Sequence, residues 1–121
     1  MSHLLDTNIC AAHFRRPGGL FVPTVVLGEL YTGAYHVSNP APLLQKIAEL
    51  LNDVQVLDYD HACAQEFGKV RGKLLQQGIS VPTADLMIAA VSLVHNLTLV
   101  TNNTADFQNI PGLRLENWLT P

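Results

Sequence analysis

The chain has 121 residues, 48% of them hydrophobic and 14% charged, and a formal net charge of −3. A chain of this length makes one folding unit, since domains typically run to about 100–150 residues, and its apolar share is high enough to offset the entropy of ordering it. Disorder is excluded, and so is passive nucleic-acid binding through a basic surface, because counterion release from phosphates rewards positive charge that this chain lacks.

The longest strongly apolar stretch, Leu86 to Val94, falls well short of the ~20 residues that a membrane-spanning helix requires. The opening Met-Ser-His-Leu-Leu-Asp has no basic segment of the secretory kind, so a cytoplasmic protein without a membrane anchor is expected. Cys10 and Cys63 have no second cysteine nearby and read as small buried hydrophobes, neither a zinc knuckle nor a disulfide framework. His3, His13, His36, His61 and His95 show no metal-ligand spacing.

In chain order, His3-Leu-Leu-Asp6 is a short apolar run that ends in a carboxylate, as a buried strand would deliver it at its carboxyl end. Phe21 to Thr24 is extended, and a helix follows from Val25 with Thr24 as its expected N-cap and Gly33 weakening or ending it. Leu43, Leu44, Ile47, Leu50 and Leu51 recur at helical spacing, and Val54-Gln-Val-Leu57 then alternates like a strand. Asp58 and Asp60 are turn formers ahead of an amphipathic helix over 62–77, where Phe67, Val70 and Leu74 share one stripe and Lys69, Arg71 and Lys73 lie largely off it. Gly78 is its expected stop. Pro82-Thr-Ala-Asp85 opens a helix apolar nearly all round and therefore buried. Leu97 to Thr101 is a β-branched strand, and Leu113 to Trp118 alternates as a last edge strand. Strands alternating with helices predict an α/β sandwich with a mainly parallel sheet, since parallel neighbours need crossovers of about a dozen residues.

Four of the ten acidic residues stand in unusual places: Asp6 at a strand end, Glu29 and Asp85 in otherwise apolar helices, and Asp106 in a loop after a strand. Burying lone carboxylates costs several kcal/mol unless something positive meets them. The basic residues, Arg15, Arg16, Lys46, Lys69, Arg71, Lys73 and Arg114, lie mostly on polar segments and cannot converge on all four acids. A divalent cation can. Oxygen donors without His or Cys support favour a hard ion, Mg²⁺ or Mn²⁺, over zinc. Asp85 also falls in the first turn of its helix, where the macrodipole favours an anion by about 0.3–1 kcal/mol.

Leu4-Leu-Asp6-Thr7-Asn8, Val26-Leu-Gly-Glu29-Leu-Tyr31, Pro82-Thr-Ala-Asp85-Leu-Met-Ile-Ala-Ala90 and Leu99-Val-Thr101-Asn-Asn103-Thr-Ala-Asp106-Phe107, in that order along nearly the whole chain, resemble the PIN-domain ribonucleases of the VapC toxin type. The resemblance implies a three-layer α/β/α sandwich forming a single PIN domain over 1–121. It further implies a metal-dependent endoribonuclease, the toxin of a type II toxin–antitoxin pair, that hydrolyses RNA, with transfer RNA as the family-level substrate. By the same resemblance Asp6, Glu29, Asp85 and Asp106 form the acidic site, with Thr7, Thr101 and Asn103 beside it. Asp6 and Asp85 would be the principal Mg²⁺ or Mn²⁺ ligands. A homodimer and an antitoxin partner are implied too, and Phe14, Tyr31 and Tyr35 are either an apolar surface for that antitoxin or core. One departure stands out: the link Arg15-Arg-Pro-Gly-Gly19 between Phe14 and Leu20 is about a dozen residues shorter than the family pattern. A catalytically impaired PIN-fold module that only engages an antitoxin is therefore the alternative expectation.

Overall fold

The structure is a computed structural model that describes residues 2–7, 9 and 19–118. Along them run β1 (His3–Leu5), β2 (Leu20–Pro23), α1 (Thr24–His36), α2 (Ala41–Leu51), β3 (Gln55–Leu57), α3 (His61–Gln76), α4 (Thr83–Val94), β4 (Thr98–Val100), α5 (Thr104–Phe107) and β5 (Arg114–Glu116). Except for Gly19, the link predicted to be shortened after Phe14 lies outside the described residues, as do Cys10 and Phe14.

The strands form one sheet in the order β3-β2-β1-β4-β5, and every neighbouring pair is parallel. The architecture is a three-layer α/β/α sandwich, because successive side chains of β1 and β4 point to opposite faces and both faces are covered. Leu4 is 0% exposed and Leu5 2%, and Leu99 and Val100 are both fully buried. The edge strand β3 instead leaves Gln55 and Val56 exposed. From β1 the chain builds outward through β2 to β3, then crosses back to place β4 on the other side of β1. That reversal creates a switch point between β1 and β4, where the crossovers part and the carboxyl ends of the strands open a crevice.

The helices follow their sequence patterns with corrections at the ends. Helix α4 is buried through Leu86, Ile88, Ala89, Ala90, Val91 and Ser92, and the Ser92 hydroxyl is satisfied by donating to the Leu97 carbonyl at 2.7 Å. Asp60 is the N-cap of α3, its carboxylate accepting from the Cys63 N–H at 3.0 Å. Thr24 does not cap α1: it is the first helical residue, and its Oγ1 accepts instead from the Tyr59 N–H at 3.2 Å. A partner 35 residues away has outcompeted the local cap. Nor does Gly33 end α1, which continues to His36; one glycine costs only about 1 kcal/mol in a helix. Arg71, off the apolar stripe of α3, lies 5.6 Å over the Phe67 ring and donates to Thr83 Oγ1 at 3.4 Å.

Gly78 does close α3. It adopts φ +72, and the Ile79 and Gly78 N–H groups return to the Leu74 and Leu75 carbonyls at 2.9 and 3.1 Å, the paired bonds of a left-handed helix stop. Nothing crowds the space a Cβ would take, so Gly78→Ala is charged only for the left-handed backbone. It is expected to cost about 1–2 kcal/mol, read as a lower urea midpoint with an unchanged slope. No helix among the described residues is long and apolar enough to cross a membrane.

Candidate active site

Asp6 is the first residue beyond β1. Its N–H donates to the Val100 carbonyl at 3.0 Å and its own carbonyl accepts from the Ile9 N–H at 3.1 Å, so the chain turns away just past the sheet. The side chain is left at the switch point, only 7% exposed. Its Oδ1 accepts from the Thr7 N–H at 2.7 Å and its Oδ2 from the Thr101 hydroxyl at 2.8 Å. Thr7, in turn, donates its hydroxyl to Glu29 Oε1 at 2.6 Å, which ties the end of β1 to α1.

Across the crevice, Thr101 follows β4 and is fully buried. Its Oγ1 accepts from the Asn103 N–H at 3.0 Å, and the Asn103 amide donates to Asp106 Oδ2. Asp106 is not in a loop as its sequence suggested: it belongs to the short helix α5. The Asn-rich segment ahead of it reads as loop because four residues show no helical periodicity.

Asp85 completes the group from the first turn of α4. Its carboxyl is pushed up from 3.8 to about 6, first by burial, then by the charges of Asp6 and Asp106, a hydrogen bond with Asp106, and the charge of Glu29. Asp85 thus feels the charge of each of the other three sequence-selected acids. Together these causes outweigh the helix dipole expected to favour the ionised form: Asp85 is still mostly charged at neutral pH but takes up a proton near pH 6.

No lysine or arginine among the described residues forms an ion pair with any of the four. Arg114 is spent elsewhere, donating from Nη1 and Nη2 to Asn96 Oδ1 and the Asn96 carbonyl at 3.0 and 2.8 Å. The donor set is therefore all oxygen and negatively charged. Among the described residues no three His, Cys, Asp or Glu form a group that could hold a metal ion. Thr7, Thr101 and Asn103 all sit beside the acids, each holding one of them. The contribution invisible in the sequence is main-chain: no residue type announces the N–H groups of Thr7 and Asn103. Beyond Glu29, an open groove of about 510 Å³ runs along α1 past Thr32 and Gly33 to His36, and Tyr31 and Tyr35 are 37% and 66% exposed, so neither is core.

A buried strand-end carboxylate at the switch point of a parallel sheet, linked through Thr7 to Glu29 and through Thr101 and Asn103 to Asp106, defines an α/β domain with a candidate acidic site. The family model for the PIN domain matches residues 4–113. The chain is 35% identical over 130 residues to the tRNA(fMet)-specific endonuclease VapC of Shigella flexneri, with 98% of each chain covered. It is 32% identical over 132 residues to the ribonuclease VapC2 of Rickettsia felis, again with 98% of each covered. It also superposes on the crystal structure of VapBC2 from Rickettsia felis bound to a promoter DNA fragment, with a TM-score of 0.89 and 30% identity over 98% of this chain and 99% of that one. The chain belongs to the PIN-domain family of nucleases, as a VapC-type toxin of a toxin–antitoxin system.

Proposed function

We propose that this toxin is a Mg²⁺- or Mn²⁺-dependent endoribonuclease whose acidic site is Asp6, Glu29, Asp85 and Asp106. The observation that carries the reading is the hydrogen-bond chain that joins buried Asp6 to Glu29 through Thr7 and to Asp106 through Thr101 and Asn103, with Asp85 raised by burial and by the charges of the other three and no lysine or arginine among the described residues to pair them. A fold tolerates such repulsion where a cation resolves it. Asp6 and Asp85, one rigidly bonded at the strand end and the other at the helix N-terminus, would hold the ion. Bound there, it would lower the pKa of a water and offset charge on the phosphoryl oxygens. Glu29, steadied by the Thr7 hydroxyl, and Asp106, steadied by the Asn103 amide, complete the site and orient the attacking water. The net charge of −3 makes the ion the attraction for phosphate. RNA is the substrate class, and the name of the Shigella relative makes transfer RNA the first substrate to try.

Inhibition follows from the same surface. A segment of the antitoxin lying in the groove from His36 to Glu29 would reach the acids, exposed Tyr31 and Tyr35 elsewhere on α1 would add apolar surface for it, and the toxin would act as a homodimer. In this reading the domain is a single unit shortened between Phe14 and Leu20.

The test is cleavage of transfer RNA and total RNA with Mg²⁺, Mn²⁺ or excess chelator, comparing wild type with Asp85→Asn after circular dichroism has shown both folded. Metal-dependent cutting that falls by about 10²–10³-fold or more in the variant is expected, since the ion's contribution is several kcal/mol. A folded wild type that cuts no RNA with either metal would instead favour the module that engages an antitoxin without catalysis.

A further inference from the structure

We infer that Thr101 is a positioning residue that sets Asp6 and Asp106 in a fixed relation, and that it does not itself touch substrate. This rests on the metal-dependent reading and deepens it. The main chain of Thr101 is fixed first, its N–H donating to the Glu116 carbonyl at 3.0 Å so that it continues the ladder between β4 and β5. The side chain is then fully determined. A threonine hydroxyl has one proton to give and two lone pairs to receive with. The Asn103 N–H can only donate, so at 3.0 Å it takes a lone pair, and the proton goes to Asp6 Oδ2 at 2.8 Å. Thr101 is 0% exposed, so no further partner reaches it from the crevice.

Two consequences follow for the acids. With Thr7 holding Oδ1 through its N–H at 2.7 Å and Thr101 holding Oδ2, the plane of the Asp6 carboxylate is fixed, and each oxygen keeps one lone pair for a ligand. On the other side, the Asn103 N–H that bonds Thr101 orients its own residue so that the amide grips Asp106. One buried hydroxyl thus reaches the strand-end acid directly and the α5 acid through a single residue. The Thr7 hydroxyl has a different assignment, since it serves Glu29.

The experiment is calorimetric titration of the full chain with Mn²⁺ alone, without RNA, for wild type, Thr101→Val, Thr101→Ser and Asn103→Ala, each first checked for a cooperative thermal transition. Thr101→Val is expected to raise the Kd for Mn²⁺ by about 10–100-fold, the usual range when a group orienting a metal ligand is removed. Thr101→Ser keeps the hydroxyl and is expected to bind as wild type does. Asn103→Ala retains the N–H to Thr101 and loses only the grip on Asp106, so its Kd should rise less than that of Thr101→Val. Equal weakening in Thr101→Val and in Thr101→Ser, which keeps the hydroxyl, would take the effect away from the hydroxyl and overturn the inference, as would a Thr101→Val protein that binds like wild type. Should Thr101→Val not fold, wild-type affinity in Asn103→Ala overturns the arm to Asp106, and weakened affinity in Thr101→Ser overturns the hydroxyl. A wild type that takes up no Mn²⁺ removes the metal reading itself, a failure distinct from all of these.

Discussion

Asp6→Asn is expected to abolish RNA cleavage and to destabilise the fold by about 1–3 kcal/mol in the same protein. The two losses have one origin. Asp6 is only 7% exposed and receives two donors, one on each oxygen. An asparagine offers one acceptor and one donor end. The Thr7 N–H cannot turn, so the amide oxygen must face it, and the amide NH₂ then points at Thr101. The Thr101 hydroxyl already receives the Asn103 N–H; accepting a second donor leaves its own proton buried with nothing to bond. A buried donor left unsatisfied accounts for the stability loss, and removal of a principal ion ligand for the loss of cleavage, about 10³-fold if several kcal/mol of transition-state stabilisation disappear. Urea unfolding and RNA cleavage measured side by side check the pair. A variant as stable as wild type would mean that the two donors do not end on Asp6.

What the sequence made legible was local. Two leucines before an acid, helical spacing over 43–51 and 67–74, and a glycine after Gln77 were enough to expect strand β1, helices α2 and α3, and the stop at Gly78. The alternation of strands and helices was enough for a parallel sheet, since parallel neighbours need crossovers. The acids were legible because a carboxylate inside an apolar run is costly, and the cost marks it. What local pattern could not show was which strands are neighbours, and hence that Asp6 and Thr101, 95 residues apart, meet across the switch point. The Thr24 to Tyr59 bond failed to be foreseen for the same reason: a side chain with a good local role was claimed by a distant one. Period alone likewise could not show that Phe67 and Thr83 together hold the Arg71 guanidinium.

Asp85→Asn carries the same chemical change as Asp6→Asn and is expected to act on stability with the opposite sign. The folded Asp85 carboxyl titrates near 6, against 3.8 for a free one. Below about pH 4 the group is protonated in both folded and unfolded chains and contributes nothing to the difference. As pH rises from about 4 to about 6 the unfolded chain ionises first, so this group removes stability across that window and keeps it removed above. A shift of about two units corresponds to ~3 kcal/mol, but the site is half open, and solvent screening brings this nearer 1 kcal/mol. In chelator, then, the variant should equal wild type near pH 4 and exceed it by about 1 kcal/mol at pH 7, while cutting no RNA. Adding Mn²⁺ should invert the order, because an ion that binds only the folded wild type stabilises it by mass action, about 2.7 kcal/mol at one hundred times its Kd. Burial and the neighbouring acids make a charged Asp85 unfavourable to the metal-free fold and would make it useful to the ion, which is why stability and activity part here and fail together at Asp6. A variant-minus-wild-type difference that stays flat from pH 4 to pH 8 in chelator would mean that the other three carboxylates do not press on Asp85, and Asp85 would drop out of the proposed site.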